Sequence, residues 1–175
     1  LLSGVKVSHY FLIKLRYKAI FLDRDGVINE ERKDYVKDID EFEIINGSLD
    51  AIKFLKQKNF LVVIITNQSA VNRGLISIKK LNKIHSFLEE KLLELDTSID
   101  GIYFCPHTPQ ENCKCRKPEP GLLLKAVQDL NIDLEKSLMI GDSEKDVKAA
   151  ENAGCKGILL NNNQKLIDVV KKLIL

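Results

Sequence analysis

The chain has 175 residues, 30% of them charged, with a formal net charge of +2. That length suits one domain able to bury a substantial core without staples, so a disulfide scaffold is not required. A net charge so close to balance argues against strong nonspecific attraction to DNA or an anionic membrane, and any cationic site has to be local.

In chain order, residues 1–17 precede the first clear strand pattern and read as an extension or arm, which includes His9. "VSHYFLIKLRYK" within it is too short and too charged to span a bilayer, and it lacks the apolar core and cleavage site of a secretory signal. The chain is therefore expected to be cytoplasmic and unattached to membrane. Residues 18–175 form one expected domain. Short Ile-, Val- and Leu-rich runs there alternate with segments of helical period, the pattern of an α/β fold. Strands are predicted over 18–23, 41–45, 60–66, 101–105, 137–141 and 157–160, and helices over 48–58, 77–95, 120–130, 143–153 and 164–174. Near-continuous apolar runs such as "FLVVIIT" fit strands covered on both faces, as in a doubly wound parallel sheet. "NNNQ" at 161–164 reads as a turn before the last helix, Cys155 as a core residue and His85 as an ordinary helix residue.

Ligands of an open parallel sheet sit beyond the carboxyl ends of its strands. The run ending "FLDRDGVIN" places Asp23 and Asp25 there, "IITNQS" places Thr66, Asn67, Gln68 and Ser69, and "MIGDSEKD" places Asp142 and Asp146. Asp23 and Asp142, from different strands, suit a hard cation such as Mg2+, with Asp25 beside them in the same set. The cation would let an anionic Asp23 approach a phosphate as nucleophile. Asp25 is placed to act as general acid and then base, and Gly26 allows the sharp exit. Thr66 and Lys117 would hold the transferred group, with Asn67, Gln68 and Ser69 expected on the substrate side of the same strand end. Ser143 to Asp146 also fits an SxxD helix cap, so Asp146 has a capping role and a possible supporting role at the metal.

"CPHTPQENCKCRKP" carries a CxHx5CxC set: Cys105, His107, Cys113 and Cys115. These soft and borderline ligands suit tetrahedral Zn2+, and a four-ligand site closed to water is structural. CxxC redox spacing is absent, and a disulfide would leave His107 unexplained. Cys115 precedes Arg116 and Lys117, so fixing the loop would also fix two cations.

"FLDRDGVIN", "IITNQS", "RKPEPG" and "GDSEKD", in that order between Ile20 and Asp146, resemble the four motifs of the haloacid dehalogenase superfamily of phosphatases. DRDG, TNQS, CRKP and the Cys- and His-bearing loop are similar to its histidinol-phosphate and heptose-bisphosphate phosphatase branch. The resemblance implies a Rossmann-like, capless fold with a zinc loop, because the intervals after Asp25 and Ser69 are too short for a cap domain. It makes Asp23 the nucleophile, Asp25 the acid and base, Thr66 and Lys117 the stabilisers, Arg116 a substrate contact, Asp142 a Mg2+ ligand and the loop a Zn2+ site. The expected substrate is a small phosphorylated sugar, with a heptose bisphosphate preferred over histidinol phosphate, and the expected state is a monomer. A polynucleotide 3'-phosphatase would share the DxD chemistry but needs a basic groove, and a noncatalytic zinc-dependent binding module would not need Asp23. Against the heptose-bisphosphate members of that branch, this chain reads "KDYV" at 33–36 where HGYV is common, and "NQSAVNRG" where NQSGIARG is common.

Overall fold

The computed structural model describes residues 16–174. Most of the expected arm, with His9, lies outside them. Five strands, β1 Ala19–Leu22, β2 Leu61–Asn67, β3 Gly101–Cys105, β4 Leu138–Gly141 and β5 Lys156–Leu159, form one parallel sheet in the order β3-β2-β1-β4-β5. Five helices, α1 Ser48–Gln57, α2 Ile78–Leu93, α3 Gly121–Leu130, α4 Glu144–Ala153 and α5 Leu166–Ile174, cover it.

Side chains of a strand alternate between the faces of the sheet, and the core divides accordingly. Ile20, Leu22, Val62 and Ile64 pack with residues of α1, α2 and α5. Ala19, Phe21, Val63 and Ile65 pack with residues of α3 and α4 on the other face. Both layers being apolar explains why the strand sequences show no polar alternation.

The chain winds from β1 outward to β3, then returns to add β4 on the other side of β1. The carboxyl ends of β1 and β4 therefore form the topological switch point, where such sheets leave a crevice. Register brings the ends level: Leu22 pairs with Ile64 of β2 and Ile140 of β4, and Asp23 donates its amide to the Ile140 carbonyl at 3.0 Å.

One predicted strand is absent from the sheet. Residues 41–45 follow a single 3-10 turn, Ile39–Glu41, and make only an isolated antiparallel bridge between Ile44 and Asn29. The alternation there is real, since Phe42 is buried and Ile44 packs against the core, but the partner is the loop leaving β1. Glu30 and Ile45 donate amides to the carbonyls of Glu43 and Ile28, which closes a loop over the end of β1. Tyr17, the last residue of the expected arm, already joins the domain by bridging Ile132. "NNNQ" closes as a turn, with Gln164 and Asn161 hydrogen bonded reciprocally, and Cys155 is buried. No helix among the described residues is long and apolar enough to cross a membrane.

Candidate active site

A cleft of about 420 Å³ opens at the switch point, and Asp23, Asp25, Thr66, Asn67, Gln68, Ser69, Arg116, Lys117, Asp142 and Asp146 all line it. The polar strand ends thus converge as the sequence predicts. The loop after β1 borders the cleft with Glu31, Arg32, Lys33, Tyr35 and Val36.

At its floor, carboxylate oxygens of Asp23, Asp142 and Asp146 lie within 4.8 Å of one another. Two glycines make this approach possible. A Cβ on Gly26, whose φ is +77°, would fall 1.9 Å from Asp142 Oδ2, and one on Gly141 would fall 2.2 Å from the Asp146 Cβ. Burial pushes Asp23 up to about 7 against the pull of Lys117, with Asp146 adding to the rise. Asp142 rises to about 6 through burial and the charges of Asp146 and Glu31. Two carboxyls raised by burial and by acidic neighbours form a site short of positive charge.

Lys117 supplies part of that charge. Its Nζ, almost fully buried, lies 2.9 Å from Asp23 Oδ2 and 2.6 Å from Asp146 Oδ1, and donates to the Ile65 carbonyl at 2.8 Å. Burial alone would favour the neutral amine, but Asp23 and Asp146 outweigh it and hold Lys117 above its ordinary value. Asp146 is both cap and ion-pair partner: its Oδ2 accepts from the Ser143 amide and hydroxyl, completing the expected capping box of α4. Asp146 is the most buried of the three, and both its oxygens are held by Ser143 and Lys117, while Asp23 and Asp142 are more exposed to the cleft.

Asp25 stands apart from that acidic group. Both of its oxygens accept from Arg24 Nη2, at 2.8 and 3.0 Å, while Asn29 and Gln68 donate to it at 2.9 and 2.7 Å. Burial would raise its pKa, but the Arg24 charge and these hydrogen bonds outweigh it and hold the carboxyl below its usual range. The Asp25 side chain, expected in the Mg2+ set, is engaged by Arg24, Asn29 and Gln68 and is not one of the three carboxylates that cluster at the floor.

The four residues ending β2 divide by direction. Thr66 accepts from Gln68 Nε2 at 2.8 Å, and the same amide reaches Asp25, so Gln68 orders two neighbours at once. Asn67 holds the backbone of Lys117 at both ends, accepting its amide at 3.0 Å and donating to its carbonyl at 3.2 Å. Ser69 lies 3.3 Å from the hydroxyl of Tyr35. Asn67 and Gln68 line the cleft, but their amide groups are committed to protein partners.

The Cys/His loop begins where β3 ends and adjoins this edge, since Gln68 donates its amide to the Cys105 carbonyl. Cys105 Sγ lies 3.4 Å from His107 Nδ1 and 3.5 Å from Cys113 Sγ, and Cys115 Sγ lies 3.2 to 3.4 Å from the other three ligand atoms. These separations exceed an S–S bond of about 2.0 Å. They approach the roughly 3.8 Å edge of a tetrahedron with metal–sulfur bonds near 2.3 Å. Arg116 donates to the His107 carbonyl at 3.1 Å, so the loop also holds the guanidinium that borders the cleft.

Two side chains that sequence reasoning left out complete the arrangement. Arg24, wholly buried, is the clamp on Asp25, and His85 of α2 places Nε2 3.3 Å from Arg24 Nη1. Arg24 lies between two acidic motif residues, a signal that was available in "DRDG"; His85 is 61 positions away from Arg24 and had no local signature.

A family model described as haloacid dehalogenase-like hydrolase matches residues 11–154. The D-glycero-beta-D-manno-heptose-1,7-bisphosphate 7-phosphatase of Helicobacter pylori strain J99 is 47% identical over 144 residues, 82% of each chain. The enzyme of that name from Neisseria meningitidis serogroup A is 39% identical over 143 residues, 82% of this chain and 76% of its own. Among solved structures, the D,D-heptose 1,7-bisphosphate phosphatase of B. bronchiseptica, complexed with magnesium and phosphate, superposes with a TM-score of 0.85 at 36% identity, covering 90% of this chain and 98% of its own. Four ordered motifs meeting in one cleft, a family model over most of the chain and relatives of this similarity together establish that the protein is a phosphatase belonging to the haloacid dehalogenase-like hydrolase family.

Proposed function

We propose that the protein hydrolyses the 7-phosphate of D-glycero-β-D-manno-heptose 1,7-bisphosphate, leaving the 1-phosphate in place. The observation that carries this reading is Asp23 at the cleft floor, ion paired with buried Lys117 and grouped with Asp142, while Asp25 is clamped separately two residues on. The relatives' names supply the sugar and favour it over histidinol phosphate and over a 3'-phosphorylated nucleic acid.

Asp23 and Asp142 would hold Mg2+, which when bound supplies the positive charge that keeps Asp23 ionised and offsets that of the phosphate. In the first step a carboxylate oxygen of Asp23 attacks phosphorus and the bond from phosphorus to the C7 oxygen breaks. Asp25, as the carboxylic acid, passes its proton to that oxygen. The incoming phosphate, negatively charged, shifts Asp25 back toward the protonated form that its surroundings otherwise oppose. In the second step Asp25, now ionised, takes a proton from water as water attacks phosphorus, and the bond to the Asp23 oxygen breaks, releasing inorganic phosphate. Lys117 and the Thr66 hydroxyl stabilise the charge spread over the phosphoryl oxygens, and Arg116 contacts substrate at the cleft wall.

Cys105, His107, Cys113 and Cys115 would hold a structural Zn2+, fixing Arg116 and Lys117 on the loop that follows. Three cysteines in a metal loop and a fourth, Cys155, in the core, none of them paired in a disulfide, suit a reducing compartment such as the cytoplasm. Phosphorus NMR of a reaction with Mg2+ tests the assignment. The 7-phosphate resonance should disappear while the 1-phosphate persists, and faster turnover of histidinol phosphate or a 3'-phosphorylated oligonucleotide would displace the heptose.

A further inference from the structure

We propose that His85 is a positioning residue for Asp25, acting through the buried Arg24. The inference rests on the reading of Asp25 as acid and base. Arg24 has no exposed surface, and a buried guanidinium needs acceptors for its N–H groups. Asp25 takes one end, through Nη2. At the other end Nη1 meets His85 Nε2 at 3.3 Å, Nε has no partner, and the Phe42 ring lies 5.7 Å from the guanidinium carbon. His85 is therefore the polar anchor that sets the tilt of the fork, and the tilt, together with Asn29 and Gln68, sets where the Asp25 oxygens point.

The surroundings fit that role. His85 lies on the buried face of α2 with Leu81, Ile84, Leu88 and Leu92, where packing alone would be served by another apolar side chain. Its ring leans on Phe104 of β3 at a centroid distance of 5.8 Å, which fixes its orientation. Burial and the Arg24 charge push the imidazole down to about 3, so the ring is neutral and a nitrogen facing a guanidinium N–H has to be the acceptor. The proton then resides on Nδ1.

The test compares Mg2+-dependent turnover of heptose 1,7-bisphosphate by the wild type, His85→Leu, His85→Gln and Asp25→Asn, with thermal melts to establish folding. His85→Leu removes the acceptor at similar volume, and kcat should fall about tenfold with KM nearly unchanged, since substrate is bound elsewhere in the cleft. His85→Gln restores an acceptor oxygen and should recover most of kcat, which a purely structural role would not require. A folded His85→Leu with wild-type kcat beside an inactive Asp25→Asn would overturn this inference alone. An active Asp25→Asn would overturn the acid–base reading and the inference with it. Nitrogen NMR of the wild-type histidines needs no variant: His85 protonated on Nδ1 supports the proposal, and His85 protonated on Nε2 overturns it.

Discussion

Two groups of metal-type ligands face the same edge of the sheet, and they are built on opposite plans. The acidic group at the ends of β1 and β4 is hard, partly buried and open to the cleft, with Lys117 already occupying one side. The Cys/His group after β3 is soft and closed on itself, and none of its four residues lines that cleft. An open carboxylate site leaves coordination positions for water and phosphate, as a reacting centre needs. A closed four-ligand site leaves none and can only hold the chain in place. They are joined by the short run from Cys115 to Lys117, so on the proposed reading one region performs the chemistry while the other sets the position of its cations.

The largest expected effect comes from the acidic side. Asp23→Asn removes the attacking oxygen and should lower kcat by at least about a thousandfold while the protein still folds and keeps its zinc. Activity within tenfold of wild type would break the comparison at its first term. Next is Lys117→Met, at the junction. It leaves two carboxylates buried without their counter-ion, so a loss of about 3 kcal/mol in stability is expected from denaturant unfolding, together with a kcat lowered roughly a hundredfold. Cys113→Ser attacks the closed region and should release zinc, raise KM and lower kcat by about ten- to a hundredfold, with the central sheet still folded by circular dichroism. Zinc content unchanged in that variant would remove the metal from the account.

The smallest effect sharpens the electrostatics. Asp23 and Asp142 are raised in the fold, so their protonated forms are favoured there. The stability they contribute is present below the ordinary carboxylate range and is lost as pH rises through about 6 for Asp142 and about 7 for Asp23. The melting temperature of the Mg2+-free protein should therefore fall between about pH 4 and 7, and Asp142→Asn should flatten part of that slope. A slope unchanged by the substitution would show that Asp142 does not take part.

Much of this was legible because strand ends are local signals. Asp23, Thr66 and Asp142 each follow an apolar run, and a parallel sheet brings such positions together without any long-range information. The spacing of Cys105, His107, Cys113 and Cys115 was likewise sufficient to define their cluster. Side-chain direction was not legible. Nothing in "TNQS" says that Asn67 grips the Lys117 backbone or that Gln68 turns to Asp25, because both contacts join segments that meet only in the fold. Residues 41–45 carried a genuine strand pattern that ended as a loop bridge, since burial of Phe42 and Ile44 satisfies the same alternation. Asp146 was read as a cap with a supporting role at the metal: the cap was visible in sequence, and its buried ion pair with Lys117 required the structure.

The division of labour between the two regions is tested most directly by measuring metal content and turnover on one sample from which exchangeable Mg2+ has been removed. The account predicts about one zinc per chain retained, no turnover, and full recovery when Mg2+ alone is returned. Turnover that persists without Mg2+ and disappears only when zinc is stripped would contradict it, and would move the chemistry to the Cys/His loop.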